Sequence, residues 1–334
     1  MKTHAPAANS SSSSASAPAT ADTLDCLVVG AGPAGLTAAT YLARFHRRAV
    51  VVDAGKSRAR WIPKSHNCPG FPFGVSGTEL LDKLRAQATG YGADIVEGCV
   101  AKLERDGDAF LATAADGTRW RATYVVLATG IVDAMPSMPG LADAIARNVV
   151  RMCAVCDAYE ASDDRIAVYA PVDVAISHAV FLRTFSRNVI AVRSEAGDPT
   201  AANAALAREA RVSVLPVAKS LEHDGRCCVF KLEDDSVHRF DTVYPILGCT
   251  PQSALAASLG ASLDDNGEIH VDDHCQTHVD GLYAIGDIVS GLNQISVSVG
   301  HAAIAATAVH NRLPRNFRED PDAQPATAAD LPSP

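Results

Sequence analysis

Two cysteines in the middle of the chain, Cys153 and Cys156, are separated by two residues. This spacing brings two sulfurs within disulfide reach on the first turn of a helix, where backbone amides and the helix dipole favour a thiolate. Because the thiolate is the form that attacks a disulfide, the pair predicts thiol/disulfide exchange. The alternatives are half of a zinc site and a chance pair of inert thiols. Zinc needs four ligands, and the nine cysteines include no second pair with this spacing.

A glycine-rich turn near the start of the chain predicts a dinucleotide site. An apolar run over 26–29 enters the turn and a segment of helical composition follows it, which is the order such a site requires. Gly30 would permit the tight turn, Gly32 the approach of a pyrophosphate, and Gly35 close packing of the helix. The turn consists of Gly30, Ala31, Gly32, Pro33, Ala34 and Gly35.

A second apolar strand, predicted over 49–53, ends in an acid, Asp53. It lies about 20 residues beyond the first glycine, where a carboxylate can accept a hydrogen bond from a ribose hydroxyl. The alternative is a chance glycine turn. We favour the dinucleotide site because strand, helix and acid all occur in the order that the motif demands.

Composition excludes several classes of protein. The chain has 334 residues, 48% hydrophobic and 20% charged, which is typical of two globular domains. Its net charge of -9 argues against nucleic-acid partners, and no apolar run is long enough for a membrane span or a signal core. An odd number of cysteines, nine, is not typical of a secreted disulfide framework, so we expect a cytoplasmic protein.

The predicted fold class is α/β, with two dinucleotide-binding-type (Rossmann-like) domains, the second inserted into the first. Residues 95–127 alternate between apolar and polar residues, interrupted by glycine-containing turns, and predict an antiparallel meander. The pattern over residues 165–192 again predicts a strand, a helix and a strand. An apolar helix near 299–311 is expected to return to the first domain. Residues 1–23 are rich in Ser, Ala and Pro, and residues 316–334 are rich in Pro, Ala and Asp, so both ends predict disordered tails.

Three further motifs resemble those of flavoproteins with two dinucleotide domains. The strand over 125–127 ends in Ala128, Thr129 and Gly130, which resembles the strand end that abuts the flavin nucleotide in that superfamily. The pair Gly286 and Asp287 resembles the motif whose carboxylate lies at the ribityl and pyrophosphate region. Val100 falls where a backbone group lies beside the adenine. The resemblance implies FAD, bound by a discontinuous domain of residues 24–146 and 250–315.

Among these flavoproteins, residues 24–314 resemble the low-molecular-weight thioredoxin reductases, because the cysteine pair lies just inside a middle domain of residues 147–249. The match includes Asn67 before Pro-Gly-Phe-Pro, and Gln294 with Ile295 before the last helix. The family resemblance implies a homodimer, a flavin-proximal Cys156, an interchange thiol Cys153, and a proton-transfer role for Asp157. The alternative for Asp157 is a carboxylate that only stabilises the first turn of a helix.

The middle domain departs from that family at its NADPH site. Where the family has a glycine-rich turn, this chain has 170–173, Ala-Pro-Val-Asp, whose side chains would crowd a pyrophosphate. The basic run for the 2'-phosphate is reduced to 193–195, Arg-Ser-Glu. Both departures argue against NADPH as a tight ligand.

A similar loss occurs in the dithiol oxidases that close the disulfides of gliotoxin, holomycin and romidepsin. Two features resemble that branch: Tyr159-Glu160 after the cysteine pair, and Arg58 with His66 after the second strand. The chain departs from that branch at Asp157-Ala158, where the dithiol oxidases have His-Gly after the cysteine pair. The resemblance therefore predicts an FAD-dependent, NADPH-independent dithiol oxidase that acts on a small dithiol or disulfide, or on a thioredoxin-like protein, and passes electrons to oxygen or another acceptor.

Two alternatives remain for the function. One is a thioredoxin reductase reduced by NADPH, ferredoxin or another flavin; the other is a noncatalytic flavoprotein that senses redox state through its cysteines. No metal is expected, because His270, His274 and His278 lie in a predicted loop. His301 is interpreted as a packing residue rather than a flavin contact, and Cys68 and Cys249 as small packing residues.

Overall fold

The computed structural model describes residues 23–289 and 291–318. The strands are β1 (Leu24–Val29), β2 (Ala49–Asp53), β3 (Asp94–Glu97), β4 (Val100–Asp106), β5 (Ala109–Ala114), β6 (Arg119–Leu127), β7 (Ile131–Asp133), β8 (Ile166–Ala170), β9 (Val189–Arg193), β10 (Ser213–His223), β11 (Cys228–Leu232), β12 (Val237–Phe240), β13 (Thr242–Pro245), β14 (Cys249–Pro251) and β15 (Leu282–Ala284). The helices are α1 (Pro33–Arg44), α2 (Gly77–Gly90), α3 (Leu141–Ala146), α4 (Ala154–Asp157), α5 (Val172–Leu182), α6 (Ala201–Ala210), α7 (Ala254–Ser258) and α8 (Ile295–Arg312), with short 3₁₀ helices at Arg58–Trp61 and Gly286–Ile288.

The first sheet has seven strands in the order β3-β2-β1-β6-β5-β4, with β15 also paired to β6. Its central strands β1 and β2 each contain a run of buried apolar residues, Cys26 to Val29 and Val50 to Val52, because both faces of the sheet are covered. Helix α1 packs against α2 and α8 on one face, and a second buried cluster that includes Phe110 and Ile269 covers the other. The predicted α/β class is confirmed.

The predicted meander is shorter than expected. Strands β4, β5 and β6 are antiparallel neighbours, but β3 pairs with β2 in parallel and does not belong to the meander. Strand β6 is also longer than a meander strand needs to be. Its first half pairs with β5, while its second half pairs in parallel with β1 and β15, so the meander is continuous with the parallel sheet.

The second sheet has six strands in the order β12-β11-β10-β9-β8-β13. Strands β8, β9 and β13 are parallel neighbours, and α5 packs on β8 and β9 as the predicted strand-helix-strand unit requires. Two connecting segments lie side by side where the chain leaves the first sheet and returns to it. These are β7 and β14, an antiparallel pair in which Cys249 lies opposite Asp133. The predicted domain boundaries remain a proposal.

The predicted tails lie outside the described residues except at their inner ends. Thr23 accepts a hydrogen bond of 2.6 Å from Arg121, and the Asn316 amide donates one of 2.9 Å to the Phe45 carbonyl. Within residues 23–289 and 291–318, no helix combines the length and apolar character needed to cross a bilayer.

Candidate active site

A cavity of about 700 Å³ extends from the glycine-rich turn to the cysteine pair. It brings together every predicted site residue except Gly35, which lies behind the turn. The residues that border it are Gly30, Gly32, Pro33, Ala34, Asp53, Asn67, Val100, Ala128, Thr129, Gly130, Cys153, Cys156, Asp157, Gly286, Asp287, Gln294 and Ile295. Its volume falls in the usual range for small-molecule and cofactor sites, about 300–1,000 Å³.

The glycine turn has the shape that a dinucleotide site needs. Gly30 has a φ of +106°, and a Cβ placed on it would lie 2.3 Å from the Ala128 carbonyl oxygen. A Cβ on Gly35 would lie 1.8 Å from the Gly30 carbonyl oxygen, so α1 can approach the turn only without one. A Cβ on Gly32 would meet nothing closer than the Ser57 hydroxyl at 3.4 Å. The space at Gly32 opens instead onto the cavity.

Asp53 ends β2 at the rim of the cavity. Its Oδ1 accepts a hydrogen bond of 2.8 Å from the Gly55 amide, and its Oδ2 is paired with Arg85 on α2. Each carboxylate oxygen has two lone pairs, so Asp53 still has acceptor capacity for a ribose hydroxyl. Sequence reasoning predicted the acid but missed Arg85, which fixes its orientation.

Asp287 also borders the cavity, beside Arg58. The guanidinium makes a bidentate pair with Asp133, at 2.6 and 2.9 Å, and lies 3.4 Å from Asp287. The Ser298 hydroxyl is 3.4 Å from the other Asp287 oxygen. Burial raises the pKa of Asp287, and the charge of Arg58 opposes that shift. Arg58 therefore offsets part of the negative charge of two carboxylates at a site where the resemblance places a phosphate-bearing cofactor.

Cys153 and Cys156 form a disulfide with their Cα atoms 5.3 Å apart. Cys153 is the N-cap residue of α4 and Cys156 lies within its single turn, so the predicted placement at the start of a helix is confirmed. Both cysteines are half-buried and both border the cavity, which makes the disulfide accessible to a reactant from that side.

The side chains of Gln294 and Asn67 meet at the disulfide. Gln294 is the N-cap residue of α8, which begins at Ile295, four residues earlier than the sequence indicated. Its Nε2 lies 3.5 Å from Cys153 Sγ and 3.4 Å from Cys156 Sγ, and its Oε1 accepts a hydrogen bond of 3.0 Å from Asn67. The family resemblance indicated these residues for the cofactor, but it gave no sign of their contact with the sulfurs.

Asp157 is held by two groups that sequence reasoning missed. Tyr244 on β13 donates a hydrogen bond of 2.9 Å to its Oδ1, and Arg151 Nη1 lies 3.2 Å from its Oδ2. Burial raises the pKa of Asp157, while Arg151 and Tyr244 oppose the rise. One signal could have found Arg151: it is a lone cation that follows two valines and stands two residues before Cys153.

In the second sheet, the turn between β8 and α5 contains a proline. Pro171 is the N-cap residue of α5, and Ala170 and Val172 beside it are buried. The Asp173 carboxylate accepts from the backbone amide and hydroxyl of Thr200, at 3.0 and 3.3 Å. This carboxylate therefore connects the first turn of α5 to Thr200, the N-cap residue of α6.

The remaining predicted residues lie outside this cavity. His301 is part of α8, and burial lowers its pKa. Its buried Nδ1 has no hydrogen-bond partner among the residues that the structure describes. Cys68 packs with Val75 and Leu80, as expected, but the packing interpretation of Cys249 is wrong. Cys249 is exposed because it lies on the two-stranded connection rather than in either sheet. Among residues 23–289 and 291–318, no group of three His, Cys, Asp or Glu is arranged to hold a metal.

The sequence matches the profile of the family described as pyridine nucleotide-disulphide oxidoreductase over residues 24–302. The chain belongs to this family. Thioredoxin reductase of Peptoclostridium acidaminophilum is 27% identical over 314 residues, covering 88% of this chain and 98% of the relative. The crystal structure of HlmI superposes with a TM-score of 0.80 at 31% identity, covering 86% and 92% of the two chains. Thioredoxin reductase from Streptococcus pyogenes gives 0.80 at 27% identity, covering 86% and 97%.

Membership in the pyridine nucleotide-disulphide oxidoreductase family makes the protein an enzyme of the FAD-dependent thiol/disulfide oxidoreductase type. The predicted flavin cofactor is implied by the family, and the site fits it. The cavity is large enough, Gly30 and Gly35 of its glycine turn leave no room for a Cβ, and the only disulfide in the part of the chain that the structure describes borders the same space.

Proposed function

We propose that this enzyme is an FAD-dependent dithiol oxidase that does not use NADPH. The observation that carries the proposal is the turn between β8 and α5. A pyrophosphate at a helix N-terminus needs free backbone N–H groups and close approach of the backbone. Pro171 has no N–H, and the carboxylate of Asp173 lies in the first turn of α5. Both features oppose an anionic ligand there.

The basic residue that remains near this turn is also engaged. Arg193 Nε donates to the Leu215 carbonyl at 3.2 Å, and Nη1 donates to the Gly197 carbonyl at 3.1 Å. Glu195, two residues further on, adds a negative charge. A 2'-phosphate is usually recognised by an arginine free to pair with it, so the fixed Arg193 supports the loss of NADPH.

In the proposed reaction, a substrate thiolate attacks Cys153 Sγ, the Cys153–Cys156 bond breaks, and Cys156 leaves as a thiolate. The second substrate thiol then attacks the mixed disulfide, which releases the oxidised substrate and leaves Cys153 reduced. The substrate loses two electrons and two protons, and the cysteine pair holds both electrons. FAD, when bound, would supply the two-electron acceptor that returns the pair to the disulfide, with oxygen or another acceptor as the final oxidant. Asp157 lies at the end of α4, where it can exchange protons as the thiolates form.

The cofactor would be held by the residues that border the cavity. The glycine turn would receive the pyrophosphate at the N-terminus of α1, and Asp53 the ribose. Asp287, with Arg58 beside it, would lie at the ribityl and pyrophosphate region. These roles rest on the family resemblance together with the position of each residue around one cavity.

Anaerobic mixing of the FAD-loaded enzyme tests the proposal. We expect a small dithiol such as dithiothreitol to bleach the flavin, and NADPH at micromolar concentration to leave it oxidised. A Cys153→Ser/Cys156→Ser variant is the control, because it should bind flavin and resist bleaching by the dithiol. Rapid bleaching by NADPH would contradict the proposal. Oxygen consumption with the dithiol then shows whether oxygen is the acceptor.

Thioredoxin reductase is the second candidate, because curated relatives that cover most of the chain carry that name. Flavin bleaching by NADPH, followed by electron transfer to a thioredoxin-like protein, would favour it. Bleaching by neither NADPH nor dithiol would favour the redox sensor. The homodimer and the cytoplasmic location stay predictions from the resemblance and the composition, and light scattering of the purified protein measures the first.

A further inference from the structure

Gln294 places its side-chain amide against the disulfide, with Nε2 nearer to Cys156 Sγ than Oε1, which lies 3.7 Å from that sulfur. Its Nε2 lies 3.4 Å from Cys156 Sγ and 3.5 Å from Cys153 Sγ, and 2.9 Å from the carbonyl oxygen of Asn293. A backbone carbonyl only accepts hydrogen bonds, so the amide atom beside it must be the nitrogen. The two N–H groups are therefore divided between that carbonyl and the two sulfurs.

Two further residues fix the amide from behind. Asn67 Nδ2 donates to Gln294 Oε1 at 3.0 Å, and the Ser65 hydroxyl donates to Asn67 Oδ1 at 3.0 Å. Ser65 is 4% exposed and exchanges two backbone hydrogen bonds with Val75, at 2.7 and 2.9 Å. The side-chain oxygens of Asn67 and Gln294 each accept a hydrogen bond from the preceding residue in this series. The N–H groups of Gln294 are therefore directed toward the sulfurs, and the series is anchored at Ser65.

We propose that Gln294 is a catalytic residue that stabilises the thiolate released when the Cys153–Cys156 bond opens. Asn67 and Ser65 are positioning residues that keep its N–H directed at the sulfurs. The inference rests on the redox cycling of the disulfide, which is part of the proposed function, but it holds for either direction of electron flow.

The effect follows from the change in the acceptor. A disulfide sulfur accepts hydrogen bonds weakly, whereas a thiolate is an anion and accepts them strongly. When the pair gains two electrons, the S–S bond breaks, one sulfur takes up a proton and the other remains a thiolate. The N–H of Gln294 therefore interacts more strongly with the reduced pair than with the oxidised one. Since the amide is already oriented, this stabilisation requires no rearrangement.

The test is the reduction potential of the pair in FAD-loaded Gln294→Leu, measured in dithiothreitol redox buffers by thiol alkylation and mass spectrometry. We expect the equilibrium constant for reduction to fall about tenfold, since a hydrogen bond to a charged group has roughly this effect. That fall makes the potential about 30 mV more negative. Asn67→Ala should shift it in the same direction by less. Gln87→Leu, at an exposed glutamine of α2, is the control and should leave the potential unchanged.

A second measurement separates electrostatics from packing. In a Cys153→Ser background, the pH profile of Cys156 alkylation should move upward by about one unit when Gln294 becomes Leu, and by more when it becomes Glu. The titratable groups around the pair are unchanged in these variants: Arg151, Asp157, Tyr244, His66 and Glu160. An unchanged potential and pH profile in Gln294→Leu would overturn the inference. Bleaching by NADPH would overturn the proposed function and leave these shifts intact.

Discussion

Tyr244 donates a hydrogen bond of 2.9 Å to Asp157 and so connects the second sheet to the short helix that carries the disulfide. Arg151 contacts the other carboxylate oxygen at 3.2 Å, and the Asp157 and Arg151 side chains are 16% and 10% exposed. Burial raises the pKa of Asp157, whereas the charge of Arg151 and the phenol of Tyr244 act against the rise. The protonation of Asp157 is thus set by a balance that single substitutions can shift.

We predict that Tyr244→Phe moves the acid limb of the pH–rate profile to higher pH. Without the phenol, Asp157 loses a donor that favours its ionised form, so its raised pKa rises further. If Asp157 accepts a proton during dithiol oxidation, the limb should move by about 0.5–1 unit. The measurement is turnover of a small dithiol against pH. Tyr159→Phe is the control, since Tyr159 is 78% exposed. Superimposable pH–rate profiles for the parent, Tyr244→Phe and Tyr159→Phe would exclude a role for Asp157 as the proton acceptor.

Arg151→Met should destabilise the protein by about 3 kcal/mol at neutral pH, because it leaves a buried carboxylate without its partner. A carboxyl whose folded pKa lies above its unfolded pKa stabilises the fold at low pH, and this stabilisation is lost as pH rises through the folded value. Removing Arg151 raises the pKa of Asp157 further. The loss in the free energy of unfolding that Arg151→Met causes should therefore grow as pH rises from about 4 to 7.

Urea unfolding of Arg151→Met at pH 5 and pH 7.5 measures this dependence. The double variant Arg151→Met/Asp157→Asn should recover most of the loss at pH 7.5, since it removes the unpaired charge and keeps an acceptor for Tyr244. Equal destabilisation at both pH values would indicate that Arg151 acts through packing alone.

The order of elements around the first glycine turn was predictable because each signal is local. Glycine spacing, the apolar run before it and Asp53 after it all occur within a span of about 30 residues. The side-chain pairs at the site were not predictable in this way. Tyr244 and Asp157 are 87 residues apart, and Arg58 and Asp133 are 75 apart. Such pairs form only after two sheets have brought distant segments together.

Register also limited the predictions. Period-two alternation indicated strands over 95–127 but could not assign a partner to each one. Strand β3 joined the parallel sheet because β2 offered an unpaired edge, whereas β4 and β5 paired through a tight turn at Gly107. The start of α8 was placed too late, since the polar residues of its first turn weaken the apolar pattern.

Replacement of single cysteines should separate their roles. In Cys156→Ser, the Cys153 thiolate can attack an added disulfide and release one of its halves as a thiolate, and no Cys156 thiol is present to resolve the product, so we expect a stable mixed disulfide at Cys153. In Cys153→Ser, the remaining sulfur is Cys156, which the family resemblance places against the flavin, so bound FAD should shield it and the adduct should be at least tenfold less abundant. Incubation with an aromatic disulfide, followed by mass spectrometry of the intact protein, measures both. More adduct on Cys153→Ser than on Cys156→Ser would reverse the assignment.

Arg58→Gln should weaken FAD binding about tenfold. The substitution leaves Asp133 and Asp287 without their cation at the wall where the phosphates are expected, and each carboxylate would then repel the cofactor. Titration of apoprotein with FAD, followed by flavin fluorescence, gives the affinity. Arg60→Gln is the matched control, because Arg60 is an exposed neighbour on the same short helix. Equal affinity of the two variants would place the cofactor away from Arg58.

Two alanine substitutions in the glycine turn should separate folding from cofactor binding. Gly35→Ala would place a Cβ 1.8 Å from the Gly30 carbonyl oxygen, where neither backbone can move without separating α1 from β1. We expect a loss of at least about 3 kcal/mol in the free energy of unfolding of the apoprotein, measured in urea.

Gly32→Ala should instead leave apoprotein stability within about 0.5 kcal/mol of the parent, because Gly32 has φ -75° and ψ -175°, which alanine adopts freely. Its nearest neighbour would be the Ser57 hydroxyl at 3.4 Å, and the new methyl would enter the cavity where the backbone must approach a pyrophosphate. FAD affinity should fall at least tenfold. A Gly32→Ala protein that binds FAD normally would show that the pyrophosphate does not lie against this turn.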